Sequence, residues 1–143
     1  MSAPLVAHTG GLLRALARRP DDGAAWPEYE EALRDASAVI VPALILAEVD
    51  YFLRAERAAM RKLIREIVDP ATTYELEPVS ASDLARALQL DARFHQLQIG
   101  LVDGVVAAVA ERRRVLRVLT VDRRDFGPLR VGPRYSQALM LLP

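Results

Sequence analysis

Short apolar runs alternate along this chain with longer amphipathic stretches, and that alternation constrains its fold more than any other feature. A strand with one wetted face shows polar residues at every second position. Ala38 to Val41 shows none, and Val115 to Val121 only Arg117 and Thr120. Strands of this kind are covered on both faces, as in a parallel sheet, and helical stretches between them predict an α/β domain. Leu5 to Ala7 reads as the first strand, Thr9-Gly10-Gly11 as the opening of a helix to about Arg18, and Pro20 to Gly23 as a turn with helix-start chemistry. A second helix to about Asp35 presents Trp26, Tyr29 and Leu33. After Ala38 to Val41, Pro42 suits the first turn of a helix to about Leu53, and another runs from about Ala55 to Val68. Thr73 to Leu76 is a small strand, Ser80 to Asp83 resembles a cap before a helix over Leu84 to Phe94, and Gly100 to Arg113 is a helix. Asp122 to Phe126 is a loop or one helical turn, and Ala138 to Leu142 a last edge strand.

A chain of 143 residues, 52% of them hydrophobic, is expected to fold as a single domain over 1–143 with a sizeable core. With no cysteine, thiol catalysis, disulfides and thiolate metal sites are excluded. The longest apolar stretches, Ala36 to Ala47 and Ile99 to Ala110, fall short of the roughly 20 residues of a membrane span. The N-terminus does not resemble a secretory signal, so a cytoplasmic protein with no membrane association is expected. A formal net charge of +0 supplies no global attraction to nucleic acid. Among the 19 basic residues, Lys62 is the only lysine. Arginine suits bidentate phosphate contacts, but a GC-rich genome produces the same bias and is the preferred explanation.

Two carboxylates interrupt stretches that otherwise belong in a core: Glu48 within Ala43 to Val49, and Asp103 within Ile99 to Ala107. A buried carboxylate must be protonated, paired with a cation or bound to a metal. Taken singly, each is equally readable as a helix-surface position or the partner of an arginine. Asp122 shifts the balance because it directly follows a strand, with Asp125 three residues on. Ligands of open α/β sheets bind beyond the carboxyl ends of the strands. The helix that carries Glu48 leaves the second strand at that edge, about two turns before Glu48. The helix with Asp103 in its first turn starts at the same edge if it runs antiparallel to the strand after it. Clustered carboxylates repel, and a hard divalent cation relieves them; such a cation activates water and stabilises phosphodiester hydrolysis.

Four segments in order, Leu5 to Leu13, Val41 to Val49, Leu101 to Ala108 and Leu119 to Phe126, resemble the PIN-domain ribonucleases, and within them the VapC toxins of bacterial toxin–antitoxin pairs. The resemblance spans essentially the whole chain. It implies a three-layer α/β/α PIN-like domain around a central, mostly parallel sheet of 4–5 strands. It also implies a carboxylate site for Mg²⁺ or Mn²⁺, cleavage of RNA, a VapB-type antitoxin partner and a homodimer. Glu48, Asp103 and Asp122 would be the site acids and cation ligands, Asp125 a further contributor, and Thr9 an orienting hydroxyl.

The pattern breaks at His8, which occupies the position of the family's first acid. Imidazole ligates Mn²⁺ or Zn²⁺ but matches Mg²⁺ poorly. Three readings stand: a natural degenerate member, an active variant of altered metal preference, or an inactivating change, one base away from aspartate. The last is favoured, so impaired activity is expected. Arg112, Arg123 and Arg124 are RNA-contact candidates, although a run of arginines at a helix end also complements the helix dipole. Trp26, Tyr51 and Phe52 suit base stacking, core packing or an interface. His95, beside Phe94 near a helix end, reads as structural. A receiver-like phosphoacceptor lacks its first acids and late lysine here, P-loop and dinucleotide-binding glycine motifs are absent, and no serine has a nucleophile-elbow context. The competing reading is a PIN-like module without catalysis that binds RNA or an antitoxin.

Overall fold

The computed structural model describes residues 2–143. The chain begins with β1 (Leu5–Ala7), α1 (Thr9–Leu16), α2 (Pro27–Asp35), β2 (Val39–Pro42), α3 (Ile45–Phe52) and α4 (Arg57–Val68). It continues through β3 (Tyr74–Glu77), α5 (Ala81–Arg93), α6 (Leu101–Arg113), β4 (Arg117–Leu119) and α7 (Arg123–Phe126). Three short strands follow, β5 (Arg130–Val131), β6 (Gln137–Ala138) and β7 (Met140–Leu142). Five strands form one sheet in the order β3-β2-β1-β4-β7, and each neighbouring pair is parallel.

That order fixes where helices lie. Right-handed crossovers carry α1 to α4 over one face as the chain steps outward from β1 to β3. The return from β3 to β4 places α5 and α6 on the other face. Accordingly α1 packs on α2 and α3, α5 on α6, and α6 on β1 and β2. Both β1 and β2 are buried along their whole length. Every residue of α6 from Gly104 to Ala110 is buried, as an all-round apolar helix must be. Gly104 allows the close approach of α5: a Cβ there would lie 2.8 Å from that of Ala87. The outer ends of α5 and α6 are tied by ion pairs. Arg86 binds Glu111 at 2.9 and 2.8 Å, and Arg112 binds Asp83 at 2.9 and 3.0 Å. Arg112 and Arg113 both reach Glu77 on β3.

Several sequence boundaries move. Pro42 ends β2 instead of opening a helix, because the chain stays extended until Ala43 N–H donates to Glu77 O at 2.8 Å. The next helix therefore starts at Ile45, and Glu48 falls in its first turn rather than two turns along. The turn at Pro20 to Gly23 does not start a helix; it is closed by a bridge between Arg18 and Ala24, and α2 begins at Pro27. The Val115 to Val121 strand shrinks to three residues. At its start, left-handed Arg114 ends α6 and Val115 N–H bonds back to Ala110 O; at its end, Thr120 turns into the crevice described below. The expected edge strand Ala138 to Leu142 is two strands. Gln137–Ala138 pairs antiparallel with β5, while Met140–Leu142 joins the main sheet beside β4.

Candidate active site

Strand order reverses between β1 and β4, since the chain leaves β1 toward β2 in one direction and reaches β4 from the other side. Adjacent loops diverge there and open a crevice at the carboxyl ends of the strands. His8 follows β1 and Thr120 follows β4, with His8 N–H donating to Leu119 O at 3.0 Å. Helix α1 leaves from this point, pressed against β4 by its glycines. A Cβ on Gly11 would lie 2.1 Å from the Leu119 carbonyl oxygen, so only glycine fits.

The His8 ring is 7% exposed and packs edge-on against Phe126, ring centroids 4.9 Å apart. Both ring nitrogens are engaged. Nδ1 lies 2.8 Å from the Thr120 hydroxyl, and Nε2 lies 2.9 Å from Asp103 Oδ1. The fully buried Thr120 also accepts a hydrogen bond from Asp122 N–H at 3.0 Å. Asp122 caps α7 by accepting from Asp125 N–H at 3.1 Å. Asp103, in the first turn of α6, enters from the opposite helical layer.

These elements bring Asp103, Asp122 and Asp125 together: one carboxylate oxygen of each lies within 4.8 Å of the others, and all three residues are half-buried. Desolvation, the hydrogen bond and charge of Asp122, and the charge of Asp103 raise the Asp125 carboxyl above its ordinary value, against a smaller opposing effect of Arg124. Mutual repulsion of this kind is what a cation relieves. The donor set is oxygen only, which suits a hard divalent ion such as Mg²⁺ or Mn²⁺. Glu48 stands outside this trio and accepts a 2.6 Å hydrogen bond from the Thr9 hydroxyl.

Arg123 and Arg124 are exposed at the start of α7, between Asp122 and Asp125. Arg112 is not brought to the site: it lies nine residues beyond Asp103 on α6, about 13 Å along the axis, where Asp83 and Glu77 hold it. Tyr51 and Phe52 are both 60% exposed, stacked edge to face at the end of α3. His95 is exposed in a single 3-10 turn. Trp26 carries the Arg14 guanidinium over its ring at 3.9 Å. Sequence reasoning missed Thr120 and Phe126. The one available signal was a hydroxyl residue interrupting an apolar run just before Asp122.

Comparison with known proteins agrees with this fold. The PIN domain family model matches residues 9–128. The chain belongs to the PIN domain family. Among relatives of this PIN domain is Ribonuclease VapC26 of Mycobacterium tuberculosis, 29% identical over 128 residues, covering 88% of this chain and 92% of the relative. The crystal structure of M. tuberculosis VapC20, a toxin that cleaves the Sarcin-Ricin loop, superposes with a TM-score of 0.67 at 16% identity, covering 82% of this chain and 89% of VapC20. A chain of the Rickettsia felis VapBC2 structure, bound to a DNA fragment from its promoter, matches with a TM-score of 0.66 at 18% identity, covering 96% of each chain. These neighbours share the parallel-sheet PIN fold.

Proposed function

We propose that this protein is an endoribonuclease toxin of the VapC kind that hydrolyses RNA phosphodiester bonds with a divalent cation, Mg²⁺ or Mn²⁺. The observation that carries the reading is the convergence of Asp103, Asp122 and Asp125 at the switch point of the sheet. These three carboxylates would hold the ion, with Glu48 oriented by Thr9 at the margin of the site. When bound, the ion supplies Lewis-acid stabilisation of phosphodiester charge and a more acidic water. The protein holds the acids in place, with Asp122 fixed by its cap on α7 and Asp103 by His8. Arg123 and Arg124 are placed to meet an RNA backbone as charged, bidentate donors.

His8 removes one carboxylate from the family pattern, so activity is proposed to be reduced relative to an aspartate at that position. The same residue favours the alternative, a PIN-like module that binds RNA or antitoxin without cutting. Partner binding is supported by a groove of about 880 Å³ whose lining combines apolar Leu13, Leu16, Leu53 and Leu63 with charged Arg18, Glu56, Lys62 and Glu66, together with exposed Tyr51 and Phe52. A VapB-type antitoxin and a second copy of the chain are the proposed partners. None of the described helices is long and apolar enough to cross a membrane, and a cytoplasmic location is proposed.

The test is cleavage of an RNA pool by this chain, by His8→Asp and by Asp103→Asn, in Mg²⁺, in Mn²⁺ and with EDTA. The expected order is His8→Asp above the parent chain, with Asp103→Asn and the EDTA samples inactive. Cleavage by Asp103→Asn at the parent rate would remove the carboxylate site from the reaction. No cleavage by any form, together with no cation binding by the parent chain or by His8→Asp, would favour the binding module.

A further inference from the structure

His8 stands where the resemblance to PIN-domain ribonucleases implies a carboxylate, and its surroundings assign it a different role from that of a ligand. Asp103 Oδ1 lies 2.9 Å from Nε2, and an ionised carboxylate can only accept. Nε2 therefore carries the hydrogen, and its lone pair is committed to the ring. At the other nitrogen, Thr120 Oγ already accepts from Asp122 N–H, so its own hydrogen is free to point at Nδ1, 2.8 Å away. The resulting chain runs from Asp122 N–H to the Thr120 hydroxyl, from that hydroxyl to Nδ1, and from Nε2–H to Asp103. Every donor in it has an acceptor. A protonated ring satisfies the same contacts, because the hydroxyl oxygen has two lone pairs. Neither state leaves a nitrogen lone pair facing the acids. Rotating the ring to expose one would break both hydrogen bonds in a site closed by Phe126, itself 1% exposed.

We propose that His8 is a positioning residue, which fixes Asp103 through its Nε2–H and couples it to the loop after β4, and that it takes no place among the ligands of the cation. The inference rests on the cation-dependent reading above. One oxygen of Asp103 is held by the imidazole, and the other remains for the ion. A fourth carboxylate at this position would bind the ion more strongly but would repel Asp103 in its absence. The imidazole lowers repulsion in the ion-free site at the cost of affinity for the ion.

The experiment uses the whole chain with Mn²⁺ alone as the probe. Pulsed electron paramagnetic resonance of bound Mn²⁺ reads directly coordinated imidazole nitrogen, and ¹⁵N spectra of the histidines in Mg²⁺ read which ring nitrogen holds the hydrogen. The expected result is bound Mn²⁺ without a coordinated nitrogen, and an Nε2–H on His8 that survives Mg²⁺ saturation. His8→Asp is expected to bind Mn²⁺ at least about tenfold more tightly, because a full charge is added near the ion, while its ion-free melting temperature falls. A nitrogen coupling that disappears in His8→Asp would overturn the proposal and leave the cation site standing. Failure of both proteins to bind Mn²⁺ would overturn the cation reading and this inference with it. A His8→Asp variant with unchanged affinity and unchanged ion-free melting would also overturn it.

Discussion

Two carboxylates, Asp83 and Asp125, are pulled in opposite directions by their neighbours. Asp83 is 2% exposed. Burial alone would raise its carboxyl, but the hydrogen bonds from Arg112 and from Ser80 more than offset that and hold it below 3.8. Its contribution to stability is therefore complete above 3.8 and disappears as pH falls through its lowered value. Asp83 also closes the capping box that starts α5, so Asp83→Ala should destabilise the fold by about 2 to 3 kcal/mol at neutral pH, read from denaturant unfolding. That loss should shrink in acid. Asp125 has the opposite sign. Its raised carboxyl makes the folded state hold a proton more tightly, so the contribution is present below 3.8 and lost as pH rises through the raised value. In EDTA at neutral pH, Asp125→Asn should therefore melt at a higher temperature than the parent chain, and the gain should vanish below pH 3.8. A neutral-pH melting temperature equal to the parent's would show that the three acids do not strain one another.

At the scale of elements, the site depends on α1 lying against the end of β4. Gly11 permits that contact, since any Cβ would collide with the Leu119 carbonyl and with the Thr120 nitrogen. Backbone on both sides leaves little room to yield. Gly11→Ala should cost roughly 2 to 3 kcal/mol and displace Thr9 and His8 together, so the Thr9 to Glu48 hydrogen bond and the ring contacts of His8 should fail in the same variant. A fully folded variant with the parent's stability, measured by thermal and urea unfolding, would contradict this contact. Helix α6 shows the complementary principle. Its buried middle is apolar around the full circumference, so it serves as a rigid rod. Asp103 lies at the end that meets the crevice, and Arg112 and Arg113 at the end tied to β3 and α5.

For the whole molecule, a site of three carboxylates should link stability to divalent cations. An ion that binds only the folded chain at a hundred times its Kd stabilises it by about 2.7 kcal/mol, or roughly 8 °C in Tm for a domain of this size. Mn²⁺ should produce a shift of that order in the parent chain and none in Asp103→Asn; equal shifts in the two would place binding elsewhere. Charge balance acts at this scale too. With a formal net charge of +0 and Arg86, Arg112 and Arg113 committed to structural ion pairs, attraction to an RNA backbone must be local. In the proposed function, the exposed Arg123 and Arg124 would provide it.

Residue order alone determined the α/β class, because strands buried on both faces must be apolar throughout and the helices between them must carry an apolar stripe. It also determined the family resemblance and drew attention to Glu48 and Asp103, since carboxylates are costly in apolar company, and to Asp122 and Asp125 just beyond a strand. Exact element ends were less legible. Pro42 and Val115 are compatible with helix or strand locally, and the hydrogen bonds that decide come from Glu77 and Ala110. The partners of each acid depended on tertiary structure alone. Asp103 and His8 lie 95 positions apart, and His8 and Thr120 112 apart, so only the strand order β3-β2-β1-β4-β7 makes them neighbours. That same order leaves Glu48 with Thr9, outside the trio, and carries Arg112 to the far end of α6. Side chains project locally, but which of them meet is set by the path the sheet imposes on the chain.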